Sequence, residues 1–326
     1  MATKWRRIGR ILLTLPPLAK VHKFLKSHSL PGFEGLSMWE VARILISGLL
    51  KSSITDRAAV MTFKLTMALF PALLFFTALV PFVPIPKLEA LVLKSFGNVM
   101  PGQFSLLLQE ALVSLVKNQS TSLLSFSLLA ALFFGSNSLL SLMEAMNKSA
   151  FIRETRPRWK QRILALALLI LIFLMTLLAV SLTYGTSEFL RFLRRRHILG
   201  FSSIKAIIYG IQLILLYVQL FATISLIYLT APARRVTRRF FSPGAVVASN
   251  VCFLASLALS YFFNNFGSYN KIYGTIGSIP VVLLWIYVNC LVLLVGFELN
   301  ASIKVGKMDA RNVTLKPPPP KNAIIK

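Results

Sequence analysis

Acidic residues are scarce in this chain. Its 326 residues include ten Asp and Glu against 36 Lys and Arg, a formal net charge of +26. Histidine occurs three times and cysteine twice. A metal-dependent nuclease or hydrolase needs clustered His, Asp or Glu to hold its cations. Here His22, His28 and His197 all fall in basic segments, and of the acids only Glu144 and Glu298 sit in or at the end of an apolar run. Cys252 and Cys290 lie within apolar runs and read as small core residues, with no disulfide or zinc spacing. No glycine-rich loop ending in Gly-Lys-Ser/Thr is present, which leaves ATP hydrolysis without its phosphate cradle. The run Gly274–Ser278 lacks a preceding strand and reads as a tight entry to a helix. The chain is therefore not read as an enzyme, and it calls for no catalytic residue, metal or cofactor.

Charge is thin overall: 14% of residues are charged and 56% hydrophobic, with a mean hydropathy of +0.71. Soluble domains average about 25% charged. The pattern predicts an all-α polytopic membrane protein with six transmembrane helices, at Ala58–Phe82, Ser122–Met143, Ile163–Tyr184, Ile204–Leu229, Pro243–Phe263 and Ile276–Leu299. Each is close to the roughly 20 apolar residues that cross a bilayer. The basic excess then belongs to cytoplasmic loops and not to a nucleic-acid interface. Membrane lipids and an unidentified solute are the expected partners; no feature fixes an oligomeric state.

With the N-terminus inside, 26 Lys and Arg fall on inner segments and nine on outer ones, Lys64 being the remaining one. This bias places both termini in the cytoplasm. The cluster Arg191, Arg194, Arg195 and Arg196 resists it by falling outside. Either the third and fourth spans are re-entrant, or this cluster has a task such as holding phosphate-bearing lipid heads; solvated or surface-bound arginines are the default, and the six-span topology is kept.

Three regions follow: a basic cytoplasmic arm at 1–36, the six-helix domain at 37–303, and a basic tail at 304–326 with Pro317–Pro320. Amphipathic interfacial helices are expected before the first span and between the first and second. In the former, Ser37 and Glu40 fit a capping box, and Met38, Val41, Ala42, Leu45, Leu49 and Leu50 follow helical spacing. In the latter, 87–121, short amphipathic stretches flank a break at Met100–Gln103.

Ionisable groups inside a membrane are costly and mark functional sites. Lys64 lies about two turns into the first span, and the second and sixth spans return to the same side near Glu144 and Glu298. The expectation is that Lys64 faces Glu144 or Glu298 in the bundle interior, with Asn137, Asn147 and Asn300 completing a polar network. Such a network is either a clamp holding helices in register or the floor of a cavity; alternatively Lys64 snorkels to the interface. Asn264, Asn265, Tyr269, Asn270 and Tyr273 form a candidate outer mouth, or an aromatic belt with turn residues.

The same chain resembles the YihY/virulence factor BrkB family of bacterial inner-membrane proteins. Five pieces in order carry the resemblance: Asp56, Ala58, Ala59, Phe70 and Pro71; Phe134, Gly135, Ser136, Asn147 and Phe151; Pro243, Gly244 and Ala245; Tyr269, Asn270, Tyr273, Gly274 and Gly277; Gly296, Glu298 and Asn300. Relatives carry an aromatic near Lys64, where this chain reads Thr62-Phe63-Lys64, so no role of that aromatic transfers. The resemblance implies a plasma-membrane protein, from a family once mislabelled as a ribonuclease. Its implied roles are transport across, or lipid handling within, the inner membrane. Transport of an anionic or amphipathic solute or lipid through a polar cavity is the function expected. A non-transporting structural or partner-binding protein, and more remotely a membrane-bound hydrolase, are the alternatives.

Overall fold

The computed structural model describes residues 23–79, 121–149, 154–195, 201–233, 236, 239–265 and 267–315. Among the described residues seven long helices follow one another: α1 Met38–Lys51, α2 Ile54–Leu79, α3 Thr121–Asn147, α4 Arg158–Arg195, α5 Phe201–Thr230, α6 Pro243–Asn265 and α7 Gly267–Leu315. Six of them, α2 to α7, are long and apolar enough to cross a membrane, as the apolar runs dictate. The chain is a multi-pass membrane protein.

The spans form a closed ring. Each of α2 to α6 packs against its successor in the chain, and α7 returns to pack against α2. Because consecutive spans alternate in direction, the start of α2, the end of α3, the start of α4, the end of α5 and the start of α6 meet at one end of the ring. We call it the proximal end. Its core includes Met61, Met143, Met146, Tyr228, Leu294 and Phe297, all buried.

Two features position the site. The first is α1, which starts at the expected capping box: the Glu40 amide donates to the Ser37 hydroxyl, and the Glu40 carboxylate accepts from the Ser37 amide. It does not lie alone in an interface. It docks on α7, and Val41 joins Phe33, Leu36 and Ile303 in a small second core. Phe33 and Leu36, at the end of the basic arm, are thus packed, while Glu34 and Gly35 between them stay exposed. Gly32 (φ 93°) is required there, because a Cβ would sit 2.7 Å from Pro243 Cγ. Glu34 also pairs with Lys307 of α7.

The second feature is α7 itself. The sequence reading opened this helix near Ile276, after a polar turn; the helix instead begins at Gly267, runs through Pro280 and continues unbroken to Leu315. A membrane helix tolerates proline where neighbouring groups satisfy the freed carbonyl. The stretch of α7 from Leu299 and Ile303 to Gly306 and Lys307 is the platform on which α1 and the end of the arm rest. The expected interfacial helices at 87–121 and the Pro317–Pro320 tail lie outside the described residues, apart from Thr121, where α3 begins.

Candidate functional site

At the proximal end, three polar clusters tie all six spans together. The first is built on Glu298. The side chain is 1% exposed, and Oε1 accepts from Arg57 Nη2 at 3.1 Å. Its other oxygen accepts from the Ser149 hydroxyl at 2.8 Å, and its main-chain carbonyl accepts from Ser302. Arg57 stands in the first turn of α2, 7% exposed. It donates also to the Ser52 hydroxyl at 2.7 Å and to the Ala145 carbonyl at the end of α3. Four segments are joined through one guanidinium.

The second cluster is built on Asn300, two residues after Glu298 and about half a turn around α7. Its Oδ1 accepts the Gly244 amide at 2.8 Å and its Nδ2 donates to the Ser242 hydroxyl. Gly244 lies in the first turn of α6, whose amides have no partner within the helix. Asn300 therefore caps a neighbouring helix from the side. The close approach that allows this requires glycine at both crossing points. A Cβ on Gly244 would sit 1.9 Å from the Gly296 carbonyl, and one on Gly296 would sit 2.6 Å from the Tyr228 hydroxyl.

The third cluster ties the loops. Asn147 Oδ1 accepts the Ala233 amide at 2.8 Å, and its Nδ2 donates to Glu154. Glu154 accepts from Arg156, which also donates to the Ala231 carbonyl at 2.7 Å. Burial alone would raise the Glu154 pKa, but the hydrogen bonds and charge of Arg156 outweigh it and hold the carboxyl below its ordinary value of 4.5. A depressed carboxyl stabilises the fold above the unfolded-state value and loses that contribution as pH falls through the folded-state value. Thermal stability in detergent should therefore fall as pH drops below about 4.5, and Glu154→Gln should flatten that acid limb by lowering stability in the neutral range while leaving the acid end little changed.

The expected network is thus present in part, with a different cation. Asn147, Glu298 and Asn300 are all buried in it. The pairing expected for Lys64 is made by Arg57 instead. Lys64 sits on the same face of α2 but two turns deeper, about 10 Å along the axis at 1.5 Å per residue, too far from the level of Glu298. It is half-buried and, among the described residues, makes no ion pair or hydrogen bond. Asn137 is half-buried and likewise outside the network. Glu144 is exposed and faces neither Lys64 nor Glu298; with Asp56, Arg57, Val60, Ser141, Ala145 and Lys148 it lines an open cleft of about 150 Å³ between α2 and α3.

Of the candidate outer mouth, Asn264 and Asn265 end α6 and Tyr269, Asn270 and Tyr273 lie in the first turns of α7; these are backbone positions, their side chains being outside the described residues. Arg194 and Arg195 end α4, again in backbone alone, and Arg196 lies outside the described residues. Among the described residues no group of three or more His, Cys, Asp and Glu could hold a metal ion.

The family model for virulence factor BrkB matches residues 45–321, which span α2 to α7 and all three polar clusters. The chain belongs to this family. The chain is similar to the ribonuclease-like protein YfkH of Bacillus subtilis (strain 168), 26% identical over 257 residues, 77% of this chain and 90% of that protein. UPF0761 membrane proteins are similar over shorter stretches. One from Xanthomonas campestris pv. campestris (strain B100) is 31% identical over 97 residues, 30% of this chain and 23% of that protein. One from Stenotrophomonas maltophilia (strain K279a) is 34% identical over 83 residues, 26% of this chain and 20% of that protein. No solved structure matches the chain. The BrkB membership accounts for the membrane architecture and leaves the activity to be argued from the site.

Proposed function

We propose that this BrkB-family chain is a transport-type protein of the bacterial inner membrane, with both termini in the cytoplasm and no catalytic step. The proximal end would then be the cytoplasmic end, and it is closed. The cargo would be an anionic or amphipathic solute, or a lipid.

One observation supports this reading above others: the ring of spans closes between α2 and α7 through the buried Arg57–Glu298 pair. A buried ion pair is a poor source of net stability, since apolar groups of similar volume often serve as well or better. Charged groups held inside membrane bundles are instead concentrated on transport pathways. An ion pair between the first and last spans is suited to two discrete states, paired and parted, which is what a gate requires.

The test is flux into proteoliposomes, read with a fluorescent phospholipid and with an anionic dye. Glu298→Gln weakens the pair without removing its volume and should change the rate several-fold while insertion is preserved. Unchanged flux in both Glu298→Gln and Arg57→Gln would count against the proposal. The competing reading is a static clamp. It is favoured by Asn147 and Asn300, whose amides are engaged by the main chain of neighbouring segments as structural caps. In that case the same substitutions lower the melting temperature and there is no flux to alter.

A further inference from the structure

Helix α1 touches both sides of the Arg57–Glu298 pair. Two residues join it to α2, and both are bonded to Arg57. Ser52, the C-cap of α1, accepts from Arg57 Nη2 at 2.7 Å, and the Ser53 carbonyl accepts the Arg57 amide at 3.2 Å. The other contact of α1 is with α7 just after Glu298. Leu299, the next residue, and Ile303, about one turn further on, pack with Val41 of α1 and with Phe33 and Leu36 ahead of it. The two helices that must part for the pair to open are therefore bridged by α1.

Three observations mark α1 as a part that can move. First, its seat is a unit apart. The core formed by Phe33, Leu36, Val41 and Ile303 shares no residue with the main core of the ring, so α1 can leave α7 without unpacking the spans. Second, the joint to α2 is strained. Ser53 has φ 40°, in the left-handed region that residues with a Cβ rarely adopt. Such a conformation persists where its surroundings hold it; here α1 is docked on one side and Arg57 is bonded on the other. Third, α1 has somewhere else to lie. Its free face carries Ile46, 56% exposed, and Leu50, 82% exposed, at helical spacing with the exposed Arg43 and Ser47. Only two residues separate α1 from a span, so it stands at the membrane surface. A helix face with apolar and basic side chains is at home among lipid headgroups.

We propose that α1 is an autoinhibitory strap. Docked on α7, it holds Arg57 against Glu298 and keeps the proximal end closed. Undocked, with Ile46 and Leu50 in the bilayer surface, it relaxes the joint at Ser52 and Ser53 and lets the pair part. The seat is closely fitted: a Cβ on Gly306 would lie 2.8 Å from Leu36 Cδ1 and 3.1 Å from Ile44 Cδ1. The strap rests on the gate reading of the ion pair and adds what controls it.

The experiment is flux of the anionic dye and the fluorescent phospholipid in proteoliposomes of the full chain, with the strap released or locked. Val41→Asp puts a charge into the small core, leaves Arg57 and Glu298 in place, and should raise flux several-fold. Locking uses Glu34→Cys with Lys307→Cys, at two partly exposed positions whose side chains are paired; the native Cys252 and Cys290 are buried. A short bis-methanethiosulfonate linker between the two new thiols should cut flux several-fold. A reductant should restore it, a reversal that a folding defect would not show. The linked variant keeps the test standing if Val41→Asp fails to insert. Flux that changes with Glu298→Gln but not with the linker would overturn the strap and leave the gate; unchanged flux in an inserted Val41→Asp would do the same. Absence of flux in every variant, Glu298→Gln included, would overturn the transport reading and the strap with it.

Discussion

Gly244→Ala should unfold the bundle or destabilise it by about 3 kcal/mol or more, the upper end of what overpacking costs. The added Cβ would lie 1.9 Å from the Gly296 carbonyl oxygen and 2.7 Å from the Asn300 side chain. The first obstacle is backbone, which no rotamer change can move aside. The start of α6 and α7 must therefore part, and parting them breaks the bonds from Asn300 to Gly244 and Ser242. Membrane helices gain close contact from small residues at crossings of this kind. Gly296→Ala should act in the same direction by pressing on the Tyr228 hydroxyl, which donates to the Leu293 carbonyl at 2.6 Å. Thermal unfolding in detergent measures both. Gly185 is the control, since nothing lies within 4 Å of the Cβ it would carry, and Gly185→Ala should leave the midpoint where it is.

Glu298→Ala should cost about 3–5 kcal/mol, because it leaves a buried guanidinium without its counter-charge. Arg57 is 8% exposed and its site is too closed to admit a full hydration shell. The Ser149 hydroxyl loses its acceptor in the same step. Replacing both partners with apolar residues, Arg57→Met with Glu298→Leu, should recover most of the loss, since the desolvation cost of both charges disappears together. Thermal shift read on the single and double variants measures this. The double variant also separates closure from stability: a well-folded chain without the pair should have lost control of flux.

The architecture was legible in the sequence because bilayer solvation leaves little choice. An uncharged run of the right length is a spanning helix, and all six runs became one. The capping box at Ser37 and Glu40 was legible for a local reason, as both partners lie within one turn. Asn147, Glu298 and Asn300 stood out as polar groups at the ends of apolar runs, and all three are buried. Their partners were not legible. Asn300 and Asn147 bind main-chain amides, and an amide carries no side-chain signal. Arg57 was hidden by its position: next to Asp56 and one residue before the apolar run, it reads as an ordinary boundary charge. Lys64 drew notice by being deeper, yet depth is what removes it from the level of Glu298. Phe33 and Leu36, set among Pro31, Gly32 and Gly35, read as an arm; their burial comes from docking with Val41 of α1 on Leu299 and Ile303 of α7, a long-range contact with no local signal.

The central claim is that Arg57, and no other cation of α2, is the partner that closes the ring on Glu298. A double-mutant cycle tests it directly, with Arg57→Met and Glu298→Gln combined and unfolding followed in detergent, alongside the parallel cycle with Lys64→Met. The expected result is a coupling of about 2 kcal/mol or more between Arg57 and Glu298, in the range of contacting groups, and additivity for Lys64 with Glu298. Additivity for Arg57 with Glu298, or a coupling carried by Lys64, would contradict it.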